Sequence, residues 1–181
     1  RDGYSPGLRL TPSCVTAVLE ELGRSTLVED GSGRQVPHAQ AAQETGSPAL
    51  RWLNPHQSSP LLRALACEPR LLGLAERYLG CPPILHSSQI WLLHPPSADA
   101  AGSAEYGWHY GIDDFRFLKV FFYLSDTALT RGQHMLVAGS HRDLRPHRLL
   151  HRRVGHEAVQ QRYRAADILD MEGVPGSGFF E

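Results

Sequence analysis

Apolar residues recur at helical spacing in the front half of the chain. Residues 12–23 place an apolar residue every three or four positions and end on glycine, which predicts an amphipathic helix. Residues 58–65 and 68–80 each begin with a proline-containing start signal and continue with leucines, which predicts a helix pair. Residues 31–55, rich in Gly, Ser, Gln and Pro, predict a loop with room for short strands.

The apolar pattern changes to strand period after residue 83. Residues 84–94, 117–124 and 133–138 are β-rich runs, and residues 168–181 predict two strand fragments around a Pro-Gly turn. Residues 157–164 predict a short helix. Helices packed outside short strands favour an α+β, mainly β fold. We expect an antiparallel barrel or a double-stranded β-helix, the cupin-like jelly roll, with N-terminal helices on its flank.

Composition narrows the class of protein. The 181 residues carry 18 Lys and Arg against 19 Asp and Glu, a net charge of −1, which argues against a protein held on a nucleic-acid polymer by charge. A chain of this length suits one domain spanning residues 1–181. Charged residues interrupt every apolar run before it reaches the length of a membrane span, so we expect no membrane association.

The cysteines and the basic residues bear on localisation. Cys14, Cys67 and Cys81 are odd in number and form no CxxC pair, which favours a reducing compartment over a disulfide framework or a zinc ribbon. No signal peptide is visible, although the sequence begins at Arg1. Lys119 is the only lysine, as is typical of a GC-rich genome. We therefore expect a cytoplasmic, bacterial protein.

Four short motifs follow one another in the back half: Trp-His-Tyr-Gly at 108–111, Leu-Ser-Asp at 124–126, a glycine at 132 and Gly-Ser-His at 139–141. In this order and spacing they resemble the phytanoyl-CoA dioxygenase-like branch of the non-haem Fe(II), 2-oxoglutarate-dependent oxygenases. The resemblance extends over residues 50–181. It implies a jelly-roll fold and the cofactors Fe(II), 2-oxoglutarate and O₂.

The resemblance assigns the first metal ligand to His109. Fe(II) in such enzymes takes imidazole and carboxylate ligands on one face and leaves the other face open for a chelating 2-oxo acid and O₂. Without the motif, one histidine among ten is more often a surface or satisfied core residue.

Gly111 departs from the pattern of the hydroxylases, which carry the carboxylate ligand two residues after the histidine. Halogenating members of the superfamily have Gly or Ala there, and a chloride ion takes the open coordination position. The resemblance therefore implies chlorination of an unactivated C–H bond, with Gly111 as the halide-binding position. The alternatives are an inactive relative that has lost its metal, or a hydroxylase whose carboxylate comes from Asp113 or Asp114.

The distal histidine of the family is missing from its usual place. In the family a strand like residues 176–181 runs straight into that histidine, and the arginine that binds 2-oxoglutarate lies beyond it. We expect the sequence given to lack these C-terminal strands and the distal ligand. A competing hypothesis completes the site with one of four histidines, of which the first is normally structural in the family: His141, His147, His151 and His156.

Strand alternation supplies further candidates for the pocket. Gln89 and Trp91 share one face of their strand, and we assign them to cofactor binding. Lys119 in an apolar strand is costly to bury without a carboxylate, so it either contacts 2-oxoglutarate or substrate, or reaches solvent at a strand edge. Tyr123 on the same face is assigned to substrate binding. Gln133 and Met135 are similar candidates on the following strand.

Residues 141–156 carry five arginines and four histidines. Such a run is either a solvated loop or a lid for an anionic substrate, because arginine forks match phosphate oxygens. We assign Arg148 and Arg152 to substrate binding. The sequence thus predicts a halogenase of a free small molecule in natural-product biosynthesis, with a purine nucleotide such as 2′-deoxyadenosine monophosphate as the first substrate to test.

Overall fold

A computed structural model describes residues 2–43, 49–94, 107–111, 114, 116–127, 134–143 and 153–181. Contacts within the chain divide it into two compact units. One consists of Thr11–His94, and the other joins Arg1–Leu10 to Pro95–Glu181. The single domain expected from chain length stays a prediction.

The strands in chain order are β1 (Ser5–Arg9), β2 (Thr26–Glu29), β3 (Gln35–Pro37), β4 (Ala49–Leu53), β5 (Gln89–Leu93), β6 (Trp108–His109), β7 (Val120–Phe122), β8 (His134–Val137), β9 (Arg153–Val154), β10 (Ile168–Met171) and β11 (Ser177–Phe180). The α-helices are α1 (Pro12–Gly23), α2 (His38–Ala41), α3 (Pro60–Ala66), α4 (Pro69–Leu79) and α5 (His156–Arg162). These counts refer to the described ranges.

Local signals explain why the helices of the Thr11–His94 unit begin where they do. The Thr11 hydroxyl accepts a hydrogen bond from the Cys14 amide at the start of α1, and the Ser59 hydroxyl accepts one from the Leu62 amide at the start of α3. Each cap satisfies an amide that has no partner within its helix. A proline follows each cap, where its fixed φ suits the first turn. The helices predicted at residues 12–23, 58–65 and 68–80 are confirmed.

An antiparallel sheet in the order β3-β2-β4-β5 forms the other layer of this unit. Its inner face and the helices bury an aliphatic cluster, against which Trp52, Ile90 and Leu92 pack. The members of this cluster are Leu22, Leu27, Val36, Ala41 and Leu50. The loop with room for short strands predicted at residues 31–55 contains two such strands, β3 and β4, together with the short helix α2, which was not predicted. Pairing with neighbouring strands stabilises β3 and β4.

Three small antiparallel sheets make up the described part of the Arg1–Leu10 and Pro95–Glu181 unit: β1-β11-β7, β10-β8 and β6-β9. The strand predicted at 117–124 shortens to β7, and the one predicted at 133–138 becomes β8. The two strand fragments predicted within residues 168–181 are confirmed as β10 and β11, and the short helix predicted at 157–164 is α5.

The mixed fold with antiparallel sheets agrees with the predicted class. Within the described ranges the four sheets are separate, and none of them closes into a barrel. The closed jelly roll therefore stays a prediction. Among the described helices, none is long and apolar enough to cross a membrane.

Candidate functional site

His109 ends strand β6, where its backbone pairs with Arg153 of β9. The side chain is exposed, and its Nδ1 lies 3.2 Å from the carbonyl oxygen of Gly107. A protonated Nδ1 donates to that carbonyl, and this tautomer leaves the Nε2 lone pair available to a metal ion. Metal-binding histidines in proteins commonly have this outer hydrogen bond.

Glu181 lies beside Lys119 because the ladder between β11 and β7 continues past both strands. The Lys119 amide donates to the Glu181 carbonyl at 2.7 Å, and the Glu181 amide donates back at 2.9 Å. Residues directly opposite in an antiparallel pair project to the same face of the sheet. The backbone therefore places an acid and a base side by side on one face.

His134, the first residue of β8, completes this group. Its Nε2 lies 2.9 Å from Oε2 of Glu181, an oxygen that is shielded from solvent. The imidazole packs against the rings of Phe121 and Phe179, with centroids 4.9 and 5.6 Å away. The ion pair thus lies at the edge of an aromatic cluster.

The surroundings keep Glu181 ionised. Burial by itself raises the pKa of this carboxyl, but the hydrogen bond with His134 and the charges of His134, Lys119 and His109 together hold the pKa below its ordinary value. His109 makes the smallest of these contributions, so its ring lies within electrostatic reach of the Glu181 carboxylate. We name His109, Lys119, His134 and Glu181 the His109 cluster.

Gly111 lies next to this cluster. A Cβ atom added to Gly111 would come 2.9 Å from Cζ of Phe117 and 3.9 Å from the Lys119 ammonium nitrogen. The ammonium lies 5.4 Å from the centre of the Phe117 ring. The Phe117 ring therefore closely covers the position of a Cβ at Gly111, and the Lys119 ammonium lies just beyond that position.

Tyr123 supports the cluster from the side of β7. Its hydroxyl donates to the Met171 carbonyl at 2.5 Å and accepts from the His134 amide at 3.0 Å, while its ring packs on Phe179. Burial raises the pKa of the phenol. The phenol therefore holds His134 in place, and the assignment of Tyr123 to substrate stays a prediction.

The structure brings His109, Gly111 and Lys119 of the predicted site together. Gln89 and Trp91 lie in the Thr11–His94 unit, on the face of β5 opposite the aliphatic cluster, and the Arg51 guanidinium stacks 4.9 Å from the Trp91 ring centre. The following predicted residues lie outside the described ranges: Asp113, Gln133, His147, Arg148, His151 and Arg152.

The competing ligand candidates within the described ranges have other contacts. His156 Nδ1 accepts a hydrogen bond from the Trp108 indole at 3.0 Å. His141 fits so closely against Gly3 that a Cβ there would clash with its ring, which suits the structural role that the resemblance implies. Asp114 is exposed.

Sequence reasoning missed His134 and Glu181. It placed Gln133 and Met135 on the pocket face of their strand, whereas Met135 is 41% exposed and His134 lies on the side of buried Leu136. Two signals were available in the sequence: His134 begins the apolar strand β8, and Glu181 directly follows the apolar strand β11.

Imidazole nitrogens and a carboxylate are suitable donors for Fe(II). The side chains of the His109 cluster therefore include donor atoms of the kind that Fe(II) binds. The lone pair on Nε2 of His109 is available for such an ion. Within the described ranges, however, no three His, Cys, Asp or Glu side chains are arranged to hold one metal ion together.

Among solved structures, the chain is similar to the non-heme alpha-ketoglutarate-dependent epimerase SnoN from nogalamycin biosynthesis. The TM-score is 0.60 at 23% sequence identity, and the match covers the whole of this chain and 68% of that one. No protein-family model matches the sequence, and no curated protein does. The likeness shows that this chain shares the fold of SnoN, and the mixed helix-and-sheet class with antiparallel sheets agrees with the sequence prediction.

Proposed function

We propose that this protein is an Fe(II)- and 2-oxoglutarate-dependent enzyme that modifies a freely diffusing small molecule. The observation that carries the proposal is His109, whose Nδ1 faces the Gly107 carbonyl while Nε2 remains for metal. The fold shared with SnoN supports the same cofactors. In this proposal His109 supplies one ligand, and further ligands come from groups outside the described residues.

Chlorination is the proposed reaction. Gly111 contributes no side chain, and the Lys119 ammonium near its Cβ direction offers a counter-charge for a chloride ion. Bound iron, with 2-oxoglutarate and O₂, would supply the oxidant that removes a hydrogen atom from the substrate. The Phe117 ring lies where a side chain at position 111 would begin, so this proposal requires the ring to shift before a halide can bind there.

A specific observation favours a second candidate. Glu181 is the carboxylate that lies within electrostatic reach of His109, so in this candidate it would move to the metal and supply the carboxylate that position 111 lacks. The enzyme would then hydroxylate its substrate, or epimerise it as the name of SnoN describes. The ion pair between Glu181 and His134 opposes this candidate, because the carboxylate would have to leave His134 to bind the metal.

The substrate class is proposed from the basic segment. In this proposal Arg148 and Arg152 bind a phosphate group through bidentate hydrogen bonds. The first compound to test is therefore a purine nucleotide such as 2′-deoxyadenosine monophosphate. Natural-product scaffolds without phosphate form the second group of test compounds.

Product analysis tests these candidates. Protein incubated with Fe(II), 2-oxoglutarate, O₂ and chloride should release succinate and a product with the isotope pattern of chlorine. Succinate with a product heavier by one oxygen would establish the hydroxylase, and succinate with a product of unchanged mass would establish the epimerase. A protein that binds no iron when purified without chelators would instead be a non-catalytic relative.

Gly111→Asp and Gly111→Asn form a matched pair for the halide position. Both side chains meet Phe117 equally, but only the aspartate brings a negative charge next to the Lys119 ammonium. We expect Gly111→Asp to abolish chlorination while iron binding is retained. Bromide soaked into crystals of the iron-loaded wild type should give an anomalous peak near Gly111, and no peak there would contradict the halide position.

A further inference from the structure

Residues 153–162 contact both chain neighbours of His109. Strand β9 pairs with β6, so that Val154 lies opposite Trp108 and Arg153 opposite His109. At the start of α5, His156 accepts the hydrogen bond of the Trp108 indole at 3.0 Å, and the two rings stack with centroids 6.3 Å apart. The N-terminal neighbour of His109 is thus held by both its backbone and its side chain.

The C-terminal neighbour of His109 is held from the last residue of α5. Tyr110 is buried, with 7% of its surface exposed, and its hydroxyl accepts a hydrogen bond from Arg162 NH1 at 3.1 Å. The other terminal nitrogen of Arg162 lies 2.6 Å from Oδ2 of Asp143, and the Tyr163 hydroxyl donates to the same oxygen at 3.2 Å.

This anchor is rigid for two reasons. The Arg162 and Asp143 side chains are only 20% and 12% exposed, so solvent screens their attraction less than at an open surface. A guanidinium is also planar, so the ion pair of one terminal nitrogen with Asp143 restricts the direction in which NH1 meets Tyr110. The position of the Tyr110 ring, and with it the backbone after His109, depends on Arg162.

We propose that Arg162 is a positioning residue that sets the direction of the His109 imidazole through Tyr110. The inference rests on the proposed role of His109 as a metal ligand. Outer contacts of metal-binding histidines contribute about 10- to 100-fold to metal affinity. Because Arg162 acts through the backbone, we expect its effect at the lower end of this range.

Co(II) is the probe that tests this role, because its visible absorption reports both affinity and ligand geometry. Arg162→Met should weaken Co(II) binding about tenfold and alter the absorption bands of the bound ion. Arg164→Met is the matched control, since the Arg164 side chain is 83% exposed and pairs with Asp167 in its own turn. The control should bind Co(II) like the wild type, with circular dichroism checking that both variants fold.

Tyr110→Phe removes only the hydroxyl that Arg162 contacts. It therefore tests the same contact if Arg162→Met does not fold. It should shift Co(II) binding in the same direction, and in a foldable double variant the two effects should not add. The positioning role is overturned if His109→Ala abolishes Co(II) binding while Arg162→Met and Tyr110→Phe both bind Co(II) with the affinity and absorption spectrum of the wild type. If the wild type shows no Co(II) binding that depends on His109, the proposed function itself fails.

Discussion

The two units of the chain are built on different side chains. The Thr11–His94 unit closes around aliphatic residues such as Leu27 and Leu50, both fully buried. Its half-buried ion pair, Arg51 with Asp30, lies away from this cluster, where the guanidinium stacks on Trp91. The other unit places ion pairs, Glu181 with His134 and Arg162 with Asp143, beside aromatic rings. Half-buried ion pairs occur in both units and contribute little net stability. What distinguishes the second unit is that its charged groups gather around the proposed metal ligand, His109, whereas the aliphatic cluster of the first is suited to a scaffold.

Removing the proposed ligand should produce the largest effect in the molecule. His109→Ala deletes an exposed imidazole, so it should leave the unfolding free energy nearly unchanged and abolish succinate release from 2-oxoglutarate. Succinate assays beside thermal unfolding measure both quantities. If His109→Ala still released succinate from 2-oxoglutarate, the assignment of the site to the unit that contains His109 would be wrong.

Leu50→Ala should show the opposite behaviour. It deletes a fully buried side chain from the aliphatic cluster and should lower the unfolding free energy by about 2–5 kcal/mol, through lost burial and the cavity left behind. Denaturant unfolding gives the value, and Co(II) binding by the folded fraction should match the wild type. If folded Leu50→Ala protein binds Co(II) more weakly than the wild type, the aliphatic cluster also supports the metal site, and the contrast between the two units fails.

Ser59→Ala tests the scaffold on a smaller scale. The Ser59 hydroxyl caps α3 at 3.0 Å and the residue is 4% exposed, so its loss should destabilise the protein by about 1 kcal/mol. Denaturant unfolding measures this. Ser58→Ala is the control. The Ser58 hydroxyl donates to the Pro55 carbonyl at 3.4 Å rather than accepting from a helix amide, so its loss should lower the unfolding free energy less.

Glu181→Gln should have the smallest effect on stability, below about 1 kcal/mol for a pair open to solvent on one side. Because folding lowers the pKa of Glu181 from its ordinary value near 4.5, the ionised carboxylate stabilises the fold above that pH. This contribution is lost as the pH falls through the lowered pKa. The stability difference between wild type and Glu181→Gln should therefore be largest near neutral pH and shrink below about pH 4.5. A difference that grows in acid would contradict the ion pair.

The sequence predicted what local signals encode. Capping residues and apolar spacing located α1, α3 and α4. The Trp-His-Tyr-Gly motif made His109 the candidate metal ligand, and that assignment stays a prediction. The short strand β4 falls where short strands were expected but was not located, because its stability comes from pairing with β2 and β5. The pairing of His134 with Glu181 joins residues far apart in the chain, and the alternation within β8 did not reveal which face carries the histidine.

Anomalous diffraction at the iron edge tests the central claim most directly, on crystals grown without oxygen in the presence of Fe(II) and 2-oxoglutarate. The account predicts an iron peak at bonding distance from Nε2 of His109, and no such peak in His109→Ala crystals. An iron peak elsewhere with His109 unbound, or iron-dependent succinate release that survives in His109→Ala, would contradict it.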